Sequence, residues 1–159
     1  MKIRYRRIKN SEGNVVDKIE RLPQGDWIDL RTRERISLLA GEYMAIPLGI
    51  AMELPKGFEA VGVSRSSTPK KWKLRMANGQ FVIDCTFAGN NDEWHFLADC
   101  KESTDIPFNT RLCQFRIQPS QFATPWQKLR WLFVRKIEFV EVDVLNNPDR
   151  GGIGSTGTK

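Results

Sequence analysis

The segment Arg111-Leu-Cys-Gln114-Phe-Arg-Ile117 alternates its side chains between the two faces of an extended chain. One face would carry Leu112, Gln114 and Arg116, and the other Cys113, Phe115 and Ile117. This is the period of a β-strand. Similar short segments lie between glycines and prolines in the first two thirds of the chain: Lys2–Ile8, Tyr43–Ile46 and Phe81–Ile83. Many short strands separated by turn residues predict an all-β barrel or sandwich.

One segment, Pro125–Lys136, departs from the strand pattern. Pro125 suits the first turn of a helix, and four apolar residues follow it at helical spacing: Trp126, Leu129, Leu132 and Phe133. The pattern predicts a short basic amphipathic helix near 125–136, which we interpret as a helix that packs on the domain. A strand running into Ile137–Val142 is the alternative, and nucleic-acid or membrane binding is less favoured.

The composition is that of one soluble globular domain. Of the 159 residues, 40% are hydrophobic and 28% are charged, and no apolar run approaches the roughly 20 residues of a membrane span. There is no secretory signal, and three cysteines without a CxxC pair indicate reduced thiols, so we expect a cytoplasmic protein. A single histidine excludes a two-histidine metal site. The net charge of +6 indicates an anionic partner, and nucleotides or phosphates suit it as well as nucleic acid does.

Four short segments contain side chains suited to phosphate or acid–base chemistry, and each also has an ordinary structural interpretation. Val63–Thr68 places hydroxyls beside Arg65, which suits phosphate oxygens or a helix N-cap. Asp84 ends a predicted hairpin and is either a general base or a solvated strand end. Asp29 is a candidate for a position near a metal or a structural carboxylate, and Gln114 is a candidate ligand contact or a solvated side chain.

The C-terminal segment Asp149–Lys159 has the composition of a phosphate-binding loop. It contains four glycines together with Arg150, Ser155 and Thr156, and only one apolar side chain. Such a segment cannot bury enough surface to fold alone, but its free backbone N–H groups, hydroxyls and guanidinium can wrap a polyphosphate. We therefore predict a flap that orders over a ligand; a mobile terminus without a role is the alternative.

Together and in this order, the segments resemble the five motifs of trimeric dUTPases (deoxyuridine triphosphate nucleotidohydrolases), from about residue 22 to the C-terminus. The matching stretches are Asp26–Leu30, Arg65–Ser67, Asn78 with Phe81–Gly89, Asn109–Gln114 and Gly151–Gly157. The run Asn91–Trp94 resembles phage or prophage branches of this family. The resemblance implies a distorted jelly-roll or β-clip barrel at 1–145 and a flexible C-terminal lid at 146–159. It also implies a homotrimer whose sites are shared between subunits.

The resemblance further implies hydrolysis of dUTP to dUMP and pyrophosphate with Mg²⁺, without stable binding of nucleic acid or membranes. Asp84 would deprotonate the attacking water, Asp29 would hold water molecules of the ion, and Arg150 would be an arginine finger from a neighbouring subunit. The phosphates would be bound by Arg65, Ser66, Ser67, Gln114, Gly154, Ser155 and Thr156. The nucleoside would be contacted by Asn78, Gly79, Val82, Ile83, Phe87 and Ile153.

Four positions depart from the family pattern. Phe87 replaces a tyrosine but keeps its stacking face, and Thr110 replaces an aspartate. Arg150 directly precedes Gly151, nearer to the glycines than in the common form. Ile153 replaces the phenylalanine that stacks on uracil, so we expect the lid to hold the base less firmly.

Two other functions remain open from the sequence. A dCTP deaminase of the same superfamily would need a protein acid or base after the third motif, and Glu93 is the candidate. A regulatory protein-binding module with secondary hydrolysis would use the basic helix near 125–136. Measuring whether dUMP or ammonia is released distinguishes dUTP hydrolysis from dCTP deamination.

Replacing Ile153 by phenylalanine is expected to lower the KM for dUTP, because base–aromatic stacking is worth roughly 1–3 kcal/mol. Steady-state kinetics of the wild type and Ile153→Phe measure the effect, with kcat expected to change little. An unchanged KM would mean that residue 153 does not contact the base.

Overall fold

Short β-strands make up most of the regular structure. The computed structural model describes residues 1–20, 25–134 and 136–151. Within these ranges the strands are β1 (Lys2–Arg7), β2 (Ile28–Arg31), β3 (Ile36–Leu38), β4 (Tyr43–Pro47), β5 (Ile50–Glu53), β6 (Phe58–Ser64), β7 (Leu74–Met76), β8 (Phe81–Asp84), β9 (His95–Cys100), β10 (Thr104–Ile106), β11 (Arg111–Pro119) and β12 (Glu138–Glu141). The helices are α1 (Thr68–Trp72) and α2 (Pro125–Trp131). The predicted all-β class is therefore confirmed.

The strands pair into four sheets that share one hydrophobic core. The largest has the order β2-β11-β6-β8, and the others are β12-β1-β5, β4-β9-β7 and β10-β3. The β1–β12 pair is parallel, and β11 pairs antiparallel with both of its neighbours. The pairings within the three described ranges leave sheet edges open, so the barrel part of the prediction was wrong.

The predicted strand at Arg111–Ile117 is confirmed as β11, which continues to Pro119. Its alternation holds from Cys113 onward, with Phe115 and Ile117 buried and Arg116 exposed. Leu112 is also buried because the β2–β11 register shifts between Arg111 and Cys113. A β-bulge of this kind re-aims neighbouring side chains, and here it precedes the predicted site residue Gln114.

A series of aromatic rings joins the sheets inside the core. The ring centroid of Trp94 lies 5.2 Å from that of Phe115 and 6.0 Å from that of Phe81. Phe81 pairs with Gly62 on β6, and a Cβ on Gly62 would overlap the Phe81 ring. Gly62 thus leaves the space in which Phe81 packs inward, and this contact fixes β8 against β6.

The cysteines are unpaired, as the sequence predicts. Cys100 and Cys113 are buried, and burial raises the pKa of the Cys113 thiol. In the parts of the chain that are described, no helix is long and apolar enough to cross a bilayer.

The predicted helix is confirmed as α2. The prediction that its apolar residues pack on the domain was wrong for the contacts within this subunit. Thr124 and Gln127 form a capping box, and Gln127 Nε2 donates to the Lys56 carbonyl at 2.7 Å. Trp131, four residues after Gln127, packs on Phe58 with ring centroids 5.4 Å apart. Gln127 and Trp131 therefore define the face towards the domain. The predicted apolar side chains are exposed: Trp126, Leu129, Leu132 and Phe133.

Replacement of Trp131 by alanine is expected to destabilise the protein by about 2 kcal/mol, because it removes a partly buried ring that packs on Phe58. Trp126→Ala is the matched control, since that ring is 71% exposed and should contribute little to the free energy of unfolding. Urea unfolding of both variants measures the difference. Equal destabilisation would mean that another surface covers Trp126.

Candidate active site

The Asp84 carboxylate lies at the end of β8 and is held by two neighbours. The Thr86 backbone N–H donates to Asp84 Oδ1 at 2.7 Å. Arg150 Nη1 donates to both carboxylate oxygens, at 3.1 and 3.2 Å, and to the Thr86 hydroxyl at 2.7 Å. The Asp84 side chain is 50% exposed, so water can reach it. The carboxylate is thus oriented and accessible, as a general base requires.

The pKa of Asp84 lies below the ordinary value for an aspartate. Partial burial raises this pKa, but the hydrogen bonds from Thr86 and the charge and hydrogen bonds of Arg150 outweigh burial and lower it. Each of these neighbours favours the charged form of the carboxylate. Asp84 is therefore ionised at neutral pH and able to accept a proton.

A second group of site residues lies where β2, β11 and β6 run side by side. Asp29 on β2 pairs in register with Gln114 on β11. Arg65, directly after β6, places its Nε 2.9 Å from Asp29 Oδ1, and Arg111 Nε lies 3.5 Å from Asp29 Oδ2. One carboxylate thus orients two guanidinium groups, which suits a site for phosphate oxygens.

Asp29 is nearly buried and keeps one carboxylate oxygen available as an acceptor. It lines a cavity of about 200 Å³ together with Arg111, and its side chain is 11% exposed. Its Oδ2 is buried without a hydrogen-bond partner, so it can still accept one from a metal-bound water. No cluster of three His, Cys, Asp or Glu side chains suited to a metal ion occurs among the described residues.

The register of β6 separates the two groups within one subunit. Glu59 pairs with Asp84, whereas Val63 pairs with Gln114, which in turn pairs with Asp29. Four residues of an extended strand span about 13 Å. One chain therefore carries a carboxylate group around Asp84 and a guanidinium group around Arg65 at opposite ends of the same strand.

The remaining predicted residues lie near one group or the other. Ser66 and Ser67 are exposed just before α1, where Thr68 fixes the backbone by donating to the Leu112 carbonyl at 2.6 Å. The turn before β8 and the residues around Asp84 hold the predicted nucleoside contacts: Asn78 and Gly79 are exposed, Val82 is 52% exposed, and Ile83 and Phe87 are half-buried. Residues Ile153, Gly154, Ser155 and Thr156 lie outside the described residues.

Three polar residues of the site were missed by the sequence reasoning. Arg111 was quoted only as part of a motif, and the bulge that places it beside Asp29 has no sequence signal. Thr86 follows Asp84 by two positions, which is the spacing of an Asx-turn and could have been recognised. Asp92 accepts a hydrogen bond from the backbone N–H of Arg150. Its only sequence signal was its position in the Asn91–Trp94 run.

Comparisons with known proteins find dUTPases. The chain is 44% identical over 142 residues to an SPbeta prophage-derived deoxyuridine 5′-triphosphate nucleotidohydrolase of Bacillus subtilis, covering 89% of this chain and 91% of the relative. The structure of a dUTPase from Streptococcus mutans superposes with a TM-score of 0.64 at 21% identity, covering 76% of this chain and 98% of that one. A mutant dUTPase of phage phi11 of S. aureus, described with a structural Mg(II) ion, superposes with a TM-score of 0.64 at 16% identity and covers 77% and 93%. No protein-family model matches the sequence.

The all-β fold carries two groups of charged side chains, and the guanidinium group suits a protein that binds an anionic, phosphorylated ligand. The similarity to the prophage enzyme extends over nearly the whole of both chains. The chain belongs to the dUTPase family, in its phage-like branch.

Replacement of Arg150 by alanine is expected to raise the pKa of Asp84, because a positive charge and two hydrogen bonds to the carboxylate are lost. Carbon-13 NMR titration of the aspartate carboxyls measures this pKa. Arg35→Ala is the matched control, since Arg35 pairs with Asp105 and not with Asp84.

The same replacement has a pH-dependent effect on stability, with a sign fixed by linkage. Because the pKa of Asp84 is lowered in the folded state, the pair contributes stability above the unfolded pKa of about 3.9 and loses it as pH falls through the folded pKa. The stability difference between wild type and Arg150→Ala should therefore shrink in acid. A difference that grows in acid would contradict the assignment.

Proposed function

We propose that this protein hydrolyses dUTP to dUMP and pyrophosphate, with Asp84 as the general base. The observation that carries the proposal is the Asp84 carboxylate itself, which is ionised, accessible and oriented by Thr86 and Arg150. The negative charges of a bound triphosphate would favour protonation of this carboxylate, and the nearby guanidinium of Arg150 opposes that effect.

The reaction requires water to attack the α-phosphorus. The new bond joins the water oxygen to phosphorus, the bond to the β-phosphate bridging oxygen breaks, and pyrophosphate leaves while Asp84 accepts the proton of the water. Arg65 and Gln114 would hold the phosphate oxygens, with Asp29 orienting Arg65. Positioning and charge stabilisation, without a protein nucleophile, account for the chemistry.

The nucleoside would lie along β8. This strand spans about 10 Å between Phe81 and Asp84, so a base at the Asn78–Gly79 turn would place its sugar and α-phosphate towards the other end. Phe87 lies on that side, half-buried against the core, and would stack its ring under the deoxyribose. The exposed side chain of Val82 and the half-buried Ile83 would line the path between the two ends.

Magnesium would be bound mainly by the substrate phosphates, with Asp29 accepting hydrogen bonds from its water molecules. The unpartnered, buried Oδ2 of Asp29 supports this role, and the nearby Arg65 and Arg111 argue against direct ligation. When bound, the ion would neutralise phosphate charge and stabilise the pyrophosphate leaving group.

A homotrimer would bring the two groups of residues together. Within one subunit the Asp84 group and the Arg65 group lie about 13 Å apart along β6. In a closed ring, each subunit can present its Arg65 group to the Asp84 group of the next copy. Three equivalent shared sites result, and an isolated chain would have none.

The deaminase alternative is disfavoured by the environment of Glu93. Its carboxylate is buried, accepts the Gly49 N–H at 2.8 Å and pairs with Arg33 at 3.3 Å. Burial raises the pKa of Glu93, while the Gly49 N–H and Arg33 oppose that shift. These contacts commit the side chain to holding the Gly49 turn.

The regulatory alternative has one observation in its favour, the exposed apolar face of α2. Trp126 and Leu132 are 71% and 76% exposed, and Lys128 and Arg130 lie on the same helix. A Trp126→Glu/Leu132→Glu variant tests whether this face matters to hydrolysis. Unchanged dUTP turnover would be consistent with a separate, regulatory role for this face. A loss of turnover would mean that the face is needed for hydrolysis.

The proposed reaction would limit uracil incorporation into DNA and supply dUMP for dTMP synthesis. Its place would be the cytoplasm, that of the host cell if the gene is carried by a phage. The three unpaired cysteines fit such a reducing compartment.

Asp84→Asn is expected to reduce dUTP turnover by about 10²- to 10⁴-fold, the contribution of a general base. Release of dUMP and pyrophosphate, with ammonia measured in parallel, follows the reaction. Asp105→Asn is the matched control, because Asp105 is an exposed carboxylate paired with Arg35 on another sheet. Equal rates for wild type and Asp84→Asn would remove Asp84 as the base.

A further inference from the structure

Two arginines face each other across β2 and β11. Arg31 on β2 and Arg111 on β11 are register partners in this antiparallel pair. Like charges placed directly opposite each other destabilise a sheet, so each guanidinium needs a carboxylate of its own. Arg111 Nε lies 3.5 Å from Asp29 Oδ2, and Arg31 Nη2 lies 3.1 Å from Asp17 Oδ2. The two arginines therefore depend on different carboxylates.

Arg31 is placed so that it could also pair with Asp29. The two residues are two positions apart on β2, and both lie on its less buried face. Their Cα atoms are therefore about 7 Å apart, a distance that an arginine side chain spans. Both side chains line the same cavity of about 200 Å³. Because Asp29 Oδ2 is buried without a hydrogen-bond partner, it is an open acceptor for another guanidinium.

Asn109 binds both members of the Asp17–Arg31 pair. Its carbonyl accepts a hydrogen bond from Arg31 Nη1 at 2.8 Å, and its Oδ1 accepts the Asp17 backbone N–H at 2.9 Å. The φ angle of Asn109 is +62°, in the left-handed region that asparagine tolerates better than most residues. The Asn109 N–H donates to the carbonyl of the fully buried Thr32 at 2.9 Å. The turn that holds the pair is thus anchored in the core.

We infer that Asp17 is a positioning residue, which holds Arg31 away from Asp29. Asn109 assists by fixing both members of the pair. The Asp29 carboxylate is thereby kept for Arg65, whose Nε lies 2.9 Å from Oδ1. Without Asp17, Arg31 would compete for that carboxylate, and Arg65 would lose its fixed orientation. The inference rests on the proposed dUTP hydrolysis, in which the Arg65 group binds the phosphates.

The exposures of the two carboxylates indicate a role in positioning more than in stability. The Asp17 side chain is 60% exposed, and exposed ion pairs contribute little to the free energy of unfolding. The Asp29 side chain is only 11% exposed, so solvent screens its charge less. Loss of Asp17 should therefore redirect Arg31 towards the less screened carboxylate while the fold stays intact.

Asp17→Asn is expected to raise the KM for dUTP by about threefold to tenfold with little change in kcat, because phosphate binding weakens while Asp84 is untouched. The substitution keeps the backbone N–H that Asn109 accepts. Glu12→Gln is the matched control, since Glu12 is an exposed carboxylate of the same N-terminal segment and contacts Asn14. A wild-type KM for Asp17→Asn, or a fall in kcat alone, would overturn the inference.

Calorimetric binding of an imido analogue of dUTP, which has nitrogen between the α- and β-phosphates and resists hydrolysis, measures the same effect without turnover. Its affinity should fall in Asp17→Asn by the factor by which KM rises. Adding Arg31→Gln should restore the affinity, because the competing guanidinium is gone. If Asp17 merely supports the N-terminal segment, the second substitution adds to the loss, and that result would contradict a positioning role. Arg31→Lys keeps the charge and should restore less.

Asn109→Gly tests the assistance given by Asn109. Glycine keeps the left-handed backbone and the carbonyl that binds Arg31, but it removes the acceptor of the Asp17 N–H. The expected KM lies between those of the wild type and Asp17→Asn. A wild-type KM would remove Asn109 from the inference.

The position of Arg31 can also be determined independently of activity. A crystal structure of Asp17→Asn should show the Arg31 guanidinium on Asp29, whereas Glu12→Gln should keep it on Asp17. An Arg31 side chain that stays at Asn109 in Asp17→Asn would overturn the inference. Failure of the wild type to hydrolyse dUTP would instead count against the proposed function, and the position of Arg31 would still be decided by the crystal structures.

Discussion

The antiparallel pairing of β6 with β11 on one edge and β8 on the other determines where the site residues lie. Because Gly62 has no side chain, Phe81 of β8 packs inward against β6. This contact fixes the pairing register in which Asp84 lies opposite Glu59. A one-residue shift of the pairing register would turn every side chain of the shifted strand to the other face of the sheet. The distance between the Asp84 group and the Arg65 group is therefore a property of the core.

Local patterns predicted the parts of the fold that local chemistry controls. The alternation of Arg111–Ile117 and the proline and apolar spacing of α2 both correspond to real elements. The bulge after Arg111 and the direction that α2 faces depend on partners distant in sequence, such as Lys56 and Phe58. Periodicity identifies an apolar face, but it does not say whether the same subunit covers that face.

In the candidate site, too, some features were predicted from the sequence and others depend on residues distant in the chain. Motif order identified Asp29, Arg65, Asp84 and Gln114 as chemical groups, and the structure places Asp29 beside Arg65 and apart from Asp84. The residues that orient these groups were not predicted, because Arg111 and Asp92 act through contacts across strands and turns. A family pattern names the reacting groups, whereas the neighbours that fix their charge states become visible only in three dimensions.

The two ends of Arg150 are held with unequal strength. Its guanidinium meets Asp84 in a half-exposed pair, and such pairs contribute only about 0–1 kcal/mol because water competes with them. Its backbone is bonded to the buried carboxylate of Asp92, where water competes less. The backbone of Arg150 is therefore held more firmly than its guanidinium, which other anions can draw away from Asp84 at little cost.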